Sequence, residues 1–311
     1  MLHLRVIAPT ELREPVIDLL TANPGVAHLV VHRDTALDPR GDEITADIAR
    51  ESANDVVDGL KALGVKERGA ITLDVIDTVL STRAYRAEDM AEGDPADAVV
   101  WDELAARTRE ESTLNVTYLM FLCLACLIAA VGVVTDSPVT VVGAMVVGPE
   151  FGPLAALAVA LVRRRMYLAR RAAVALLVGF PVAMLITALG VLAGEAVGWI
   201  TVQSTRELSE VDFIFHVGPL SFVVALLAGA AGMLSLVSAK SAALVGVFIS
   251  VTTVPAAGFA VVAATVGDWD IAAKSSAQLA VNLIAIALAG VLVLWVQRLV
   301  GHRHEAGRRP V

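Results

Sequence analysis

The chain is poor in the residues that support several common functions. It has two cysteines in 311 residues, and its 24 lysine and arginine residues are outnumbered by 32 aspartate and glutamate residues. This acidic balance argues against nucleic acid as a partner. Cys123 and Cys126 lie in an apolar run without a histidine or another cysteine nearby. We therefore interpret them as small residues packed on a helix face rather than as a redox or metal site.

Long apolar runs are missing from the first 113 residues. The opening residues LHLRVIAP are too short for a secretory signal, so none is expected. Residues 1–112 hold 12 basic and 23 acidic residues, whereas residues 113–311 hold 12 and 9. The whole chain is 57% hydrophobic with a mean hydropathy of +0.72. These values predict an acidic soluble domain followed by a slightly basic membrane domain.

Residues 1–80 have the pattern of a small α+β domain. Alternating or apolar segments predict four strands, and two amphipathic segments predict helices between Thr10 and Asn23 and over residues 51–63. The strands are expected at residues 2–8, 26–32, 43–49 and 71–75. The order βαββαβ predicts a ferredoxin-like domain, expected in the cytoplasm. His3, His28 and His32 do not share a metal-ligand spacing and are expected on the surface or on a strand face.

Residues 81–113 are predicted to connect the two domains. The polar stretch from residue 81 to 97 predicts a linker, and residues 96–111 have the periodicity of an amphipathic helix. This helix lies either at the membrane surface, with Trp101 in the headgroup zone, or against the soluble domain.

Residues 114–300 predict an α-helical membrane domain of about six spans, followed by a tail at 301–311. The spans are expected at Leu114–Thr135, 136–162, Ala172–Val197, Pro219–Val237, Ala242–Val266 and Ile271–Leu299. Five arginines between residues 163 and 171, and those near the C-terminus, fall on the same side as residues 1–113. Lysine and arginine mark the inner side, so both termini are expected in the cytoplasm and the chain in the inner membrane.

The stretch Asp136–Pro153 interrupts the apolar runs with proline, glycine and two acids. Broken backbone at membrane depth is tolerated only where it is buried in protein or lines a cavity. A similar stretch recurs in the second half, where Val245-Gly246 follows Val142-Gly143 by 103 residues. The two halves, 114–197 and 219–299, would each hold three spans and so form an inverted repeat, the sequence signature of a secondary transporter. The alternative is that two helices rich in alanine, valine and glycine match by composition.

The two interrupted segments supply the candidate site residues. Those expected to bind a solute or ion are Asp136, Ser137, Thr140, Met145, Glu150, Ser250, Thr252, Thr253, Gln278 and Asn282. Those expected to break helices are Gly143, Gly148, Pro149, Gly152, Pro153, Gly246 and Pro255. Glu150 is the sharpest candidate, because a carboxylate beside freed backbone can bind a cation or carry a proton. The alternatives are helix capping for Glu150 and Asp136, and helix packing for Gln278 and Asn282.

Three segments also resemble a known family, the bacterial and archaeal uncharacterised hydrophobic domain proteins (domain of unknown function number 389). They are VVGAMVVGPEFGP at 141–153, SAKSAALVGVFISVTTVPAAG at 238–258 and QLAVNL at 278–283. The family pattern commonly has G-A-M, then a proline and a G-P, which matches residues 143–153. Glu150 stands where the family more often has an apolar residue. The resemblance covers about residues 114–300 and implies a multi-pass membrane protein with an N-terminal domain.

These patterns predict a transporter or permease for a small solute or ion, in the lipid bilayer. The alternative is a membrane sensor or regulator whose ferredoxin-like domain binds a ligand or partner. An intramembrane enzyme has the least support, since no metal or nucleophile arrangement is visible in the spans, and no cofactor is expected. Small residues such as Gly229, Gly232, Ala257 and Gly258 allow close helix contacts and favour a homo-oligomer, with a dimer preferred.

Overall fold

The chain folds into two compact units. The computed structural model describes residues 1–91, 93, 98–199, 218–238 and 253–306. One unit holds Met1–Leu104 and the chain from Leu299 onward, and the other holds Ala105–Arg298.

The first unit is built on a four-stranded antiparallel sheet in the order β2-β3-β1-β4. Its strands are β1 Leu2–Ala8, β2 Val26–Leu37, β3 Arg40–Ile48 and β4 Ala70–Val75. Helices α1 Arg13–Ala22 and α2 Ala53–Ala62 follow β1 and β3, so the predicted order βαββαβ is confirmed. Both β1 and β2 are antiparallel to β3, which makes them parallel to each other with β3 between them. This is the split βαβ arrangement.

The core of this sheet domain follows from strand alternation. Every second residue of β1 is buried, and these residues pack against apolar residues of β3, α1 and α2. The buried set is Leu4, Val6, Ala8, Val16, Leu20, Ile44, Ile48, Val56, Leu60 and Val65. Val65 belongs to a short helix, α3 Val65–Arg68, which the sequence did not predict beyond the stop at Gly64.

Strand β2 runs to Leu37, five residues beyond its predicted end at His32. Ala36 pairs with Gly41 and Leu37 with Arg40 across a tight turn. The extension is held by backbone pairing between β2 and β3, which does not require alternating apolar residues. The hydrophobic pattern therefore predicted too short a strand.

Part of the predicted linker is helical. Helix α4 spans Thr82–Met90, and the Ser81 side chain accepts hydrogen bonds from the amides of Arg83 and Ala84. The helix also buries Ala84 and Ala87. A serine cap and two small buried residues are weak sequence signals beside many charges, which is why the segment resembled a linker.

Helix α5 spans Trp101–Glu111, and its beginning packs on the sheet domain. Asn54 of α2 donates to the carbonyl of Val99 at 2.7 Å and accepts from the amide of Trp101 at 3.2 Å. Lys61 of α2 lies 2.7 Å from Asp102. These contacts favour packing on the sheet domain over a membrane-surface position for this end of α5.

The second unit is helical. Its helices are α6 Val116–Val134, α7 Pro138–Val147, α8 Phe151–Val162, α9 Met166–Ala196, α10 Pro219–Val237, α11 Val254–Val266 and α12 Trp269–Ala306, the last running beyond the unit. By length and composition, four helices in the described residues can cross a membrane. The count is five if α7 and α8, bent by 52°, form one span. The predicted fifth span, Ala242–Val266, lies partly outside the described residues, so a sixth span stays a prediction.

Helix α9 begins at Met166, six residues before the predicted start at Ala172. Arg170 and Arg171 are therefore helical, and Arg171 donates to the Thr113 hydroxyl. The predicted start was the first residue of the apolar run. The helix starts earlier because arginine, although polar, is a good helix former.

The helix boundaries recur at a constant interval. Helices α6, α8 and α9 begin at residues 116, 151 and 166, and α10, α11 and α12 begin 103 residues later at 219, 254 and 269. The turns after α8 and α11 also correspond. The backbone amide of Arg165 donates to the carbonyl of Ala160 at 2.8 Å, and that of Asp268 donates to the carbonyl of Ala263 at 2.9 Å.

Glycines bring helices of the second unit into close contact. A Cβ built on Gly258 of α11 would lie 2.7 Å from Ala129 of α6, and one on Gly229 of α10 would lie 2.8 Å from the Cα of Ile286 in α12. The sequence analysis offered these two glycines as possible contacts between subunits. In the structure they form close helix contacts within one chain.

Candidate functional site

The candidate site lies at the break between α7 and α8. Gly148 ends α7 in an extended conformation, with φ −64° and ψ 127°. Pro149 follows and cannot donate a backbone hydrogen bond, and it disfavours helical geometry in the residue before it. Glu150 then precedes the first residue of α8. The local sequence thus breaks the helix and places a carboxyl group at the bend.

The side chain of Glu150 is fully buried and reaches the second half of the chain. Its Oε1 accepts a hydrogen bond from the hydroxyl of Thr253, which precedes α11 as Glu150 precedes α8. Neither side chain bonds to the amides of its own helix. The hydrogen bond therefore joins two helix N-termini, and side-chain capping of α8 is not the role that Glu150 has here.

The other carboxyl oxygen, Oε2, is buried and has no hydrogen-bond partner among the described residues. Gly148 lies against it, since a Cβ at Gly148 would overlap Oε2 and come within 2.9 Å of Val254 Cγ2. Tyr118 and Cys126 of α6 are buried in the same apolar core as Val254, the first residue of α11. The Tyr118 hydroxyl also has no partner in the described part of the chain.

Sequence reasoning missed Tyr118 and treated Cys126 only as packing. The one available signal was a tyrosine inside an apolar span, because a buried tyrosine hydroxyl usually finds a hydrogen-bond partner. The sequence contained no indication of where α6 would pack. Gly179 of α9 lies beside the Tyr118 ring and helps to hold it, since a Cβ added to Gly179 would lie 2.9 Å from Cε1 of Tyr118.

This arrangement suits a small cation or a proton. Carboxylate and hydroxyl oxygens are ligands for hard cations, and an ionised carboxylate buried without compensation is costly. No group of three or more histidine, cysteine, aspartate and glutamate side chains close enough to hold a metal occurs in the described ranges.

The remaining polar candidates of the first half lie at the other end of α7. Ser137 caps α7 and accepts from the Thr140 hydroxyl at 3.0 Å. Asp136 takes a positive φ of 46° in the turn that ends α6. These residues precede the break by about ten positions, roughly 15 Å along a helix. Met145 is buried in the helical core.

The candidates of the second half are also separated. Gln278 donates to Asn282 at 3.0 Å, and both are buried on α12 along with Ser275. The Gln278 Oε1 and Ser275 Oγ atoms have no partner among the described residues. No described contact joins this polar stripe to Glu150.

The predicted break residues have different surroundings. A Cβ on Gly152 would lie 2.6 Å from Glu111, whereas Gly143 has open space around it within α7. Pro153 and Pro255 are buried in the first turns of α8 and α11, where proline is tolerated. Ser250, Thr252 and Gly246 lie outside the described residues.

The sheet domain has its own hydrogen-bonded cluster. Asp47 is bonded to His3 at 2.8 Å and to His28 at 2.6 Å, and His28 also reaches Ser81 at 2.7 Å. Burial raises the pKa of Asp47, but the hydrogen bonds with both histidines outweigh it and leave that pKa below its usual value. Both histidines are partly exposed, as expected of strand-face residues.

Comparison with known proteins gave one match. No curated protein and no solved structure matched the chain. Residues 145–288 match the family described as "Domain of unknown function (DUF389)", and this range contains Glu150, Thr253 and the α12 polar stripe. This match confirms, over residues 145–288, the family resemblance that the sequence indicated.

Proposed function

We propose that the chain is a membrane transporter or permease for a small solute or ion, with its binding site at the Glu150–Thr253 pair. The observation that carries this proposal is the buried hydrogen bond between Glu150 and Thr253, the residues that immediately precede α8 and α11. Secondary transporters place their sites near the midplane, where interrupted helices of two repeats meet. Glu150 and Thr253 are 103 residues apart, which is the interval of the repeat.

The helix boundaries support an inverted repeat. A match by composition alone would not reproduce three helix starts and a turn at one interval of 103 residues. If α7 and α8 count as one span, α6 to α9 form a three-span repeat. An odd number of spans inverts the second repeat relative to the first.

The charges of equivalent turns support the orientation. Arg164 and Arg165 of the first repeat correspond to Gly267 and Asp268 of the second. In an inverted repeat these turns face opposite sides of the membrane, and the arginine side is the inner one. The proposal therefore includes an inner-membrane location with both termini in the cytoplasm.

The chemistry of the site favours a cation or a proton as the transported species. Two helix N-termini carry partial positive charge and stabilise a carboxylate between them. A proton or a small cation neutralises that carboxylate, whereas an anionic solute would be repelled by it. The hydroxyl of Thr253, which is hydrogen-bonded to this carboxyl group, supplies a neutral ligand beside it.

Flux through proteoliposomes tests the proposal. The full chain would be reconstituted, and entry of protons, Na⁺ and K⁺ would be followed with ion-sensitive dyes under an imposed gradient. We expect one of these fluxes in the wild type. Glu150→Gln should reduce it by about a hundredfold or more, the lower end of what loss of a proton-transfer group commonly costs. Glu195→Gln, at the partly exposed end of α9, is the matched control and should transport normally. Equal flux in wild type and Glu150→Gln would rule out Glu150 as the site.

The sensor alternative has one observation in its favour, a compact sheet domain with its own core. Absence of flux for all three ions, combined with a ligand-dependent change in the thermal midpoint that Asp47→Asn abolishes, would favour it. The proposed homodimer would be tested in either case by the mass of the detergent-solubilised chain.

A further inference from the structure

A cleft lined by arginine lies at the connection between α8 and α9. Its volume is about 420 Å³, and it is lined by Val162, Arg163, Arg164, Arg165 and Arg298. This volume is within the roughly 300–1,000 Å³ of ligand pockets, but such pockets are mostly apolar and this one is mostly cationic. We propose that the cleft binds the phosphate group of an anionic phospholipid.

The end of α8 sets three of these arginines on one tight turn. The backbone amide of Arg165 donates to the carbonyl of Ala160 at 2.8 Å, and that of Arg164 donates to the carbonyl of Leu161 at 3.4 Å. This is the hydrogen-bond pattern that closes many helices, and its central residue is usually glycine. Here that residue is Arg164, with a φ of 54°. A guanidinium group thus occupies a position where the backbone favours glycine, whereas the equivalent turn after α11 has Gly267.

The fourth arginine comes from α12. The Nη1 atom of Arg298 donates to the carbonyl of Val162 at 3.2 Å, which fixes its guanidinium group at the cleft. A guanidinium group presents its N–H donors in a planar fork that matches two phosphate oxygens. Several such groups around one cleft favour a headgroup with a net negative charge, because they would repel the cationic choline that neutralises the phosphate of phosphatidylcholine.

The neighbouring aromatic residues indicate that a lipid supplies the phosphate. Tyr167 is 71% exposed and Trp295 is 53% exposed, and each lies within one helical turn of a cleft arginine. Exposed tyrosine and tryptophan at the ends of membrane helices lie at headgroup level. Basic clefts between membrane helices on the cytoplasmic side bind anionic headgroups. A soluble phosphate would use the same arginines but would leave these exposed aromatic rings without a role.

The test uses the full chain in a neutral detergent. Phosphatidylglycerol, phosphatidylcholine and inorganic phosphate would be titrated separately while the thermal midpoint is measured. A bound ligand raises this midpoint in a saturable way. We expect a saturable rise with phosphatidylglycerol and none with phosphatidylcholine. Arg165→Gln and Arg298→Gln should weaken the phosphatidylglycerol response by about tenfold or more, as expected for a charged hydrogen bond.

Arg164→Gly separates binding from folding. Glycine suits the positive φ of this position, so the lipid-free midpoint should not fall while the phosphatidylglycerol affinity does. Arg170→Gln removes the same charge from α9 but does not line the cleft, and it should cost no more than about fivefold, the attraction of one surface charge.

Two results would overturn the proposal. One is an equal loss of affinity in Arg170→Gln and in the cleft variants, which would indicate diffuse attraction to the membrane surface. The other is a response to inorganic phosphate alone, without one to phosphatidylglycerol. If Arg164→Gly binds phosphatidylglycerol with wild-type affinity, Arg164 is not part of the binding site.

Discussion

Replacing Gly148 by alanine tests the packing of the candidate site most directly. The φ of −64° and ψ of 127° at Gly148 suit alanine, so the backbone itself does not resist the change. The added Cβ would overlap Oε2 of Glu150 and would lie 2.9 Å from Cγ2 of Val254. Overpacking of this kind costs about 1–3 kcal/mol. The carboxyl group would also have to move, which would strain its hydrogen bond from Thr253.

Gly143→Ala is the matched control. Gly143 lies within α7, and a Cβ added there would have no neighbouring heavy atom within 4 Å. Alanine there should stabilise the helix by about 0.5–1 kcal/mol. The two variants should therefore differ in unfolding free energy by about 1.5–4 kcal/mol, a difference set by their surroundings rather than by the substitution.

The assay is titration of the detergent-solubilised full chain with sodium dodecyl sulfate, followed by circular dichroism of the helices. A double variant, Gly148→Ala with Glu150→Ala, removes the carboxyl group from the overlap. In that background the cost of Gly148→Ala should fall by about 1–2 kcal/mol, within the usual range of coupling between residues in contact. If Gly148→Ala is no more destabilising than Gly143→Ala, the carboxyl group of Glu150 does not lie over Gly148.

Two further predictions concern stability elsewhere in the chain. Asp42 is buried and is held by two bonds of 2.7 Å from Arg13, which keep the pKa of Asp42 below its ordinary value. Its stabilising effect is therefore complete above about pH 4 and is lost as the pH falls through the lower folded pKa, so the thermal midpoint of the sheet domain should drop below that pH. Asp42→Asn should lower the midpoint at pH 7 and make it less dependent on acid; an unchanged acid dependence would contradict this. Gly267→Ala, at φ 88° with open space around it, should destabilise the helical unit by about 1 kcal/mol in the detergent titration, and an unchanged midpoint would show that the turn adjusts at no cost.

The boundaries of several elements could not be predicted from local patterns. The hydrophobic pattern placed the ends of β1 and α6 within two residues of their observed positions. This is because β1 buries every second residue and α6 coincides with one continuous apolar run. The same pattern misplaced the end of β2 and the start of α9, and it missed α4 altogether, because hairpin pairing, arginine within a helix and a serine cap decide these features. These are hydrogen-bonding effects that apolar patterns do not report.

The sequence by itself determined the membrane class, the βαββαβ order and the position of the helix break. Each follows from chain-local properties: apolar run length, alternation, and a glycine and proline in succession. It also identified Glu150 and Thr253 among ten candidates, together with the interval of 103 residues between the halves. Only the tertiary structure decided that these two residues meet, and that Asp136, Ser137 and Thr140 lie at the other end of α7. The packing of α6 and α11 around the break decides this, because contacts between distant segments depend on side-chain fit that no local pattern contains.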